Sequence, residues 1–324
     1  MQRRSFCLAA AGLAASTHKA WAAEPFPTRA VKVISPYAAG GGPDVQLRQF
    51  APSMAEALKQ SVVVENKVGA GGVLAAQFVA AAVADGYTLL MGSNTHLIQK
   101  SLQPQLKFDP VGDFVGVSNM AASPTVLVVS ADSPYKSMDE LVAGLRKSGG
   151  GMNYGSGGIG TSAHLAGATF LTLNNLSATH VPLKGSVEIA ASLMRGDTQF
   201  AFPVAGTGVP HVKGGKLRAL AVTSRQRLAQ LPEVPTLNEL MNNELTVQES
   251  WFGIWAPAKT PPEAVAALHA ASVTALKLPA IRSAFENAGN LAVPSESPQA
   301  FSAFVRSEQK KWAEIVRLTG ATAS

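Results

Sequence analysis

Between Val31 and Gly92 the chain alternates short β-branched runs with helical segments, and glycine-rich turns stand where strand passes into helix. Val31 to Ile34 reads as a strand, followed by a turn from Pro36 to Gly42 and a helix whose Leu47, Phe50, Met54 and Leu58 share one face. Pro52 falls inside that helix and is expected to kink or divide it. Val62 to Val64 is the next strand. It is followed by Gly69-Ala70-Gly71-Gly72, an Ala-rich helix from Val73 to Val83, and an Asp85-Gly86 turn into a strand from Tyr87 to Met91. This βαβαβ order implies a mostly parallel sheet with helices on its faces.

The pattern repeats further on with different loops. Leu127 to Val129, Met152 to Tyr154, Thr179 to Val181, Gln199 to Phe202 and Leu217 to Val222 read as strands. Ser137-Met138-Asp139-Glu140 is a capping box for a helix to Lys147, and a helix after Tyr154 carries Leu165, Ala168 and Leu171 on one face. Near the C-terminus, Thr260-Pro261-Pro262-Glu263 places an N-cap at Thr260, and Ser297-Pro298 opens a last helix that Gly320 closes. That last helix presents Phe301, Phe304, Val305, Trp312, Ile315 and Val316 as its apolar face. Phe114 to Val129 and Val247 to Ala256 are the two stretches able to connect lobes, with Trp251 and Trp255 as hinge or core packing. Two α/β lobes joined twice enclose a cleft, and 324 residues suit two domains of roughly 150 each.

Met1 to Ala22 reads as an export signal: Arg3 and Arg4, an apolar run from Phe6 to Ala15, and Ala20-Trp21-Ala22 for cleavage. The apolar run is about half of the ~20 residues that a membrane span needs. Arg3-Arg4-Ser5-Phe6 leaves the general and twin-arginine export routes both open. Removing 22 of 324 residues leaves 302, and Arg3, Arg4 and Lys19 account for three of the formal +6 charges. The mature chain is then only mildly basic, which gives little ground for nucleic acid as a partner. The one cysteine, Cys7, leaves with the signal, so no intrachain disulfide framework or Cys-based zinc cluster is expected.

Two glycine turns carry the functional reading. Tyr37-Ala38-Ala39-Gly40-Gly41-Gly42-Pro43-Asp44 and Gly155-Ser156-Gly157-Gly158-Ile159-Gly160-Thr161-Ser162 each lie between a strand and a helix. Glycine allows close backbone approach, and the following helix start offers unpaired N–H groups and the positive end of its dipole. Facing one cleft, the two turns make an anion site without Arg or Lys, and Asp44 is the only charge expected nearby. Asp44 is expected to point into structure or to face a neutral or amino group of the ligand. His164, just inside the helix after the second turn, is the one histidine placed near the cleft; His96, His180, His211 and His269 are scattered. Ser93, Asn94 and Thr95 offer neutral donors and acceptors at a strand end, and Lys184 could attract an anion.

Catalytic patterns are incomplete. Gly155, Gly157 and Gly160 satisfy G-x-G-x-x-G, yet no Asp or Glu occurs from Thr161 to Val187 to bind a ribose. No G-K-S/T phosphate loop, G-x-S-x-G elbow or H-E-x-x-H metal motif is present, so no cofactor, metal or catalytic activity is expected. An exported α/β hydrolase or oxidoreductase, and a ligand-sensing module serving a membrane sensor, remain the alternative classes.

A set of ordered motifs spans the mature chain. These are Gly40-Gly41 with Asp44, Val64-Glu65-Asn66 with Gly69 to Gly72, Asp85-Gly86-Tyr87-Thr88-Leu89-Leu90-Met91-Gly92, and Gly160-Thr161 with His164-Leu165. Val181-Pro182 with Lys184-Gly185-Ser186, and Gly215-Lys216-Leu217-Arg218-Ala219-Leu220-Ala221-Val222-Thr223, complete it. Together they resemble the Bug family of extracytoplasmic solute receptors associated with tripartite tricarboxylate transporters. The resemblance implies an α/β, two-lobed type II periplasmic-binding-protein fold closing on a small carboxylate in the cleft between the lobes. It also implies a periplasmic location, a monomer, and the transporter's membrane permease subunits as partners.

With the export segment at 1–22, the lobes are expected at 23–123 plus 251–324 and at 124–250. The family holds the ligand carboxylate largely through backbone groups and waters of two turns, which correspond to Ala39 to Asp44 and Gly157 to Ser162. The expected binding set is Tyr37, Ala39, Gly40, Gly41 and Asp44; Ser93 and Asn94; Gly157, Gly158, Gly160, Thr161, Ser162 and His164; and Phe202 and Val204. This chain departs from the family at Gly42-Pro43, Leu183 and Pro203-Val204, where polar or aromatic residues are usual. An apolar wall from Leu183, Phe202, Pro203 and Val204 is expected to favour a monocarboxylate over a polyacid, since a second carboxylate there would be buried without partners.

Overall fold

The computed structural model describes residues 26–37, 39–40, 42–69, 72–103, 105–183 and 187–321. The export segment, Gly41 and Lys184 lie outside the described residues.

The first lobe begins β1 (Val31–Ser35), α1 (Gly42–Leu58), β2 (Val62–Asn66), α2 (Val73–Ala80), β3 (Thr88–Ser93), α3 (Asn94–Leu102) and β4 (Phe114–Pro124). The chain then passes into β5 (Val126–Ser130), α4 (Met138–Ser148), β6 (Asn153–Ser156), α5 (Ser162–Leu173), β7 (Thr179–Pro182) and α6 (Val187–Arg195). The second lobe is completed by β8 (Phe200–Ala201), α7 (Ala205–Lys213), β9 (Leu217–Val222) and α8 (Leu237–Met241). The return is made by β10 (Glu249–Pro257), followed by α9 (Pro262–Lys277), α10 (Pro279–Asn287), β11 (Leu291–Ala292) and α11 (Pro298–Thr319).

Two sheets result. The six-stranded sheet runs β11-β4-β10-β3-β1-β2 and the five-stranded sheet β7-β6-β8-β5-β9. β1 pairs in parallel with β2 and β3, as the βαβαβ order requires, while the returning β10 lies antiparallel between β3 and β4. Both faces of the first sheet are covered: Val31 and Val33 pack with Leu47, Phe50, Met54 and Leu58, while Ile34 packs on the other face with Trp251, Trp255 and Phe301. That alternation is the period-2 geometry of a strand buried on both sides.

The two crossings lie side by side. Thr125 alone separates β4 from β5, its amide donates to Thr223 Oγ1 at 2.9 Å, and the same hydroxyl donates to the carbonyl of Gln248 just before β10. A separate apolar cluster of Ile98 on α3, Leu165 on α5, and Trp312, Ile315 and Val316 on α11 joins the lobes.

Several local expectations change. α1 is one 17-residue helix in spite of Pro52. Pro52 and Arg48 are both exposed, so the Arg48 carbonyl that loses its N–H partner can be solvated. Thr260 does not cap α9: Pro261 occupies the N-cap position, and Thr260 Oγ1, one residue too early, has no partner. α5 is buried almost all round, and Ala168, expected on its apolar face, is one of its less buried residues. α3 had no counterpart in the sequence reading. The C-terminal caps follow it, with Ser297 accepting from the Ala300 amide at 3.0 Å and Gly320 left-handed at φ 65°.

Candidate functional site

The carboxyl ends of β1, β2 and β3 open toward the N-terminus of α5, the place where parallel α/β sheets bind ligands. At the end of β1, the turn at Gly40 (φ +79°) leads into α1. Asp44, fully buried in the first turn of that helix, accepts the Gly40 amide at 2.9 Å, Arg48 Nε at 2.9 Å and Asn66 Nδ2 at 2.6 Å. Asn66, at the end of β2, also donates to the Tyr37 carbonyl and accepts from Arg48, so one amide ties the neighbouring strand to the turn. Burial pushes the Asp44 carboxyl up, but the bonds from Arg48, Asn66 and Gly40 outweigh it and hold the group below its ordinary value. Asp44 therefore points into structure. The expectation that no cation stands near this turn is corrected by Arg48, one helical turn beyond Asp44 and paired with it.

Tyr37 donates to Ser93 Oγ at 2.9 Å, and burial raises its phenol to about 12. Ser93 ends β3 and caps α3: its hydroxyl accepts the Thr95 amide at 3.2 Å, while its own amide donates to His96 Nδ1 at 3.0 Å. Burial lowers His96 to about 3, so the imidazole is neutral.

The second turn is braced differently. Gly158 (φ +126°) and Gly160 (φ +75°) shape it, and Thr161 caps α5 by accepting the His164 amide at 3.3 Å while donating to the Gly158 carbonyl at 2.7 Å. His164 Nδ1 accepts the Gly160 amide at 3.1 Å. Its ring stacks on His180 at 4.1 Å, and His180 Nε2 lies 2.7 Å from the buried Ser156 hydroxyl, which donates to the Gly158 carbonyl. Burial, and then the neighbouring His180, lower His164 to about 4. The lobes meet here, where Asn94 Nδ2 donates to Ser162 Oγ at 3.1 Å and a Cβ on Gly160 would lie 2.8 Å from Leu102 Cδ1 of α3.

Between the lobes lies a cavity of about 370 Å³. Tyr37, Ser93 and Thr161, all expected from the sequence, line it together with Thr95 and His96, and Pro36, Val68, Leu90 and Met91 supply its apolar wall. Gly69 and Gly72 complete it, and among the described residues none that lines it is charged at neutral pH. The wall from Val68, Gly69 and Gly72 was missed as a site, although Gly69 to Gly72 repeats the strand–glycine–helix pattern of the other turns.

Other expected residues fall elsewhere. Ala39 and Gly40 are exposed on the first turn; Gly157 and Gly158 are half-buried, and Asn94, Ser162 and His164 are buried. Phe202 is not a cavity wall: strand alternation turns it with Phe200 into the aromatic core against Phe170, and it has no exposed surface. Val204 is half-buried at the N-cap of α7 and pairs with Thr125, while Leu183 packs on the core of the second lobe. The apolar wall thus comes from the first lobe, and not from Leu183, Phe202, Pro203 and Val204.

The family described as tripartite tricarboxylate transporter family receptor matches residues 46–321. The chain belongs to this family. It is 33% identical over 316 residues to the protein BugT of Bordetella pertussis, covering 97% of this chain and 95% of that one. MatC from Rhodopseudomonas palustris with bound malate superposes with a TM-score of 0.76 at 30% identity, covering 90% of this chain and 100% of that one. Rpa4515 from R. palustris, with adipate, gives 0.80 at 29%, covering 92% and 99%. The expected two-lobed receptor fold is therefore present, and the chain is a solute-binding receptor of this family.

Proposed function

We propose that the interlobe cavity captures a small organic monocarboxylate, with its carboxylate held by backbone N–H groups of the turns at Ala39 to Asp44 and Gly157 to Ser162. The carrying observation is that one cavity is lined by Tyr37 and Ser93 from one lobe and Thr161 from the other. The first-turn amides of α5 supply donors and the positive end of a helix dipole. Malate and adipate, held by the two relatives above, each carry two carboxylates. Here no cationic side chain lines the described cavity, and Pro36, Val68, Leu90 and Met91 give it an apolar body, which supports a ligand with one charge and an apolar remainder.

On this reading the protein is a periplasmic receptor without catalysis of its own, exported through residues 1–22. It works as a monomer that delivers its ligand to the permease subunits of a tripartite tricarboxylate transporter. The lobes, 23–123 plus 251–324 and 124–250, close about the paired crossings at Thr125 and Gln248.

A thermal-shift screen of Ala23 to Ser324 against mono-, di- and tricarboxylates, acidic amino acids and aromatic acids tests it. Ligand at a hundredfold excess over its dissociation constant adds about 2.7 kcal/mol to stability. Aliphatic or aromatic monocarboxylates are expected to outrank citrate. A clear shift with a tricarboxylate and none with any monocarboxylate overturns the ligand class, and turnover of a carboxylate or ester overturns the receptor reading.

A further inference from the structure

Two lobes that close on a ligand as rigid bodies swing about their crossings, and here a helix joins them as well. α11 starts on the first sheet, where Phe301 and Val305 pack with Ile34, Trp251 and Trp255. Near its middle the buried Glu308 accepts the indole N–H of both Trp251 and Trp312 at 2.8 Å, which fixes the helix to β10. Beyond that anchor, Trp312, Ile315 and Val316 pack with Ile98 of α3 and with Leu165 of α5 in the second lobe. Leu102 of α3 and Leu245, just before the second crossing, pack against the same cluster. Ile98, Leu165, Trp312 and Ile315 have no exposed surface, so parting the lobes at this joint returns apolar surface to water.

Polar contacts and shape fasten the same joint. Asn94 and Ser162, both buried, stand at the starts of α3 and α5, and Asn94 Nδ2 donates to Ser162 Oγ at 3.1 Å. Lys311 Nζ of α11 donates to the Val247 carbonyl at 3.4 Å, and Gln248 Nε2 donates to Thr169 Oγ1 of α5 at 2.9 Å. The second crossing is thus tied to both helices. Gly160 lets α3 come close, since a Cβ there would lie 2.8 Å from Leu102 Cδ1. Thr161, which lines the interlobe cavity, lies one helical turn before Leu165, so the joint also fixes the end of α5 that faces the cavity.

We propose that the C-terminal half of α11 is a strap that holds the two lobes together in the ligand-free chain. The second glycine turn is then in place before ligand arrives, and affinity is not reduced by the fraction of time that the lobes stand apart. The strap follows from packing alone, while its use in capturing a carboxylate rests on the receptor reading above.

Small-angle scattering of the ligand-free chain from Ala23 to Ser324 tests it. The protein is refolded from guanidinium, so that no ligand is carried along, and measured on the monomer fraction of a sizing column. The profile is expected to match the structure. Leu165→Ala and the milder Leu245→Ala remove second-lobe side chains from the joint, and each should enlarge the radius of gyration without any ligand being involved. Leu165→Met, which keeps the volume, should stay compact. Leu141→Ala empties an equally buried site that lies wholly within the core of the second lobe, and it should lower stability without enlarging the particle. Circular dichroism establishes which variants are folded, and Leu245, only half-buried, carries the test if Leu165→Ala does not fold.

A refolded, unaltered chain more extended than the structure overturns the strap. So does compactness in every folded variant of Leu165→Ala and Leu245→Ala, and so does an equal expansion of Leu141→Ala, which would make the loosening general. A compact ligand-free chain that then binds no carboxylate in the thermal-shift screen keeps the strap and removes the ligand class, so the two readings fall separately.

Discussion

The two turns that face each other across the cavity are held by different chemistry. In the first lobe a carboxylate gathers an amide, a guanidinium and a side-chain amide around Asp44. In the second, a neutral imidazole accepts the Gly160 amide, and a second imidazole and a serine hydroxyl stand behind it. Both arrangements satisfy backbone groups that the glycines leave exposed, and both leave the cavity wall itself uncharged. A charged brace that lies off the cavity stiffens a turn without repelling an anion. A neutral brace can stand closer, at the expense of sensitivity to acid.

The comparison makes the Asp44 brace the more costly to remove. Asp44→Ala would strand three donors around a buried position, and a loss of about 3 kcal/mol in stability is expected in urea melts. A loss under about 1 kcal/mol would mean that water replaces the carboxylate and that the turn is not organised by it. Gly160→Val attacks the other side. The residue is left-handed and its Cβ would crowd Leu102 Cδ1, so about 2 kcal/mol of stability and most ligand affinity should be lost together. Calorimetry showing unchanged affinity would detach this turn from the site.

The acid sensitivity sharpens the contrast. His164 titrates at about 4 in the folded chain against an ordinary 6.5, so between those values the unfolded chain binds a proton that the native chain does not. Stability must then fall as pH falls from about 6.5 to about 4. Asp44 acts with the same sign in a lower window: its lowered pKa adds stability above its ordinary 3.8, which is lost only at lower pH, as the carboxylate protonates. In denaturant melts at stepped pH, His164→Gln should reduce the slope between 6.5 and 4, with His96 and His180, also lowered by burial, supplying the remainder, and Asp44→Asn should leave the slope there unchanged. If His164→Gln retains the full slope, the imidazole brace is not the acid-labile element. The smallest effect belongs to Arg48→Ala. Its guanidinium is 46% exposed, and only about 0.5–1 kcal/mol should be lost.

What could be read from the sequence was whatever is local. β9 was expected at its observed bounds, because a short, mostly aliphatic run follows the Gly214-Gly215 turn, and Ser137, Ser297 and Gly320 act within one helical turn of themselves. α3 was missed because His96 occupies the capping-box position where Glu or Gln is the usual sign. The Asp44–Arg48–Asn66 cluster was missed for another reason. Asn66 reaches the turn only because β2 pairs with β1 and sets Asn66 against Ser35, a register that no short window contains. Phe202 shows the same limit in reverse. Its place at the end of a strand was legible, but which face of the sheet it would take was decided by Phe170 across the core.

The last helix has a consequence for the order in which the molecule can be completed. α11 buries Phe301 and Val305 against the first sheet, and Trp312, Ile315 and Val316 against α3 and α5. Near its middle, Glu308 accepts both Trp251 Nε1 and Trp312 Nε1 at 2.8 Å. The first lobe is thus built from both ends of the chain, and β10 must insert between β3 and β4 before α11 has a surface to cover. While the ribosome is still making residue 248, that sheet lacks an inner strand and the joint between the lobes lacks its third helix. The nascent chain is held open by its own topology until its final residues arrive, and contacts of such long sequence separation are the slow ones to form.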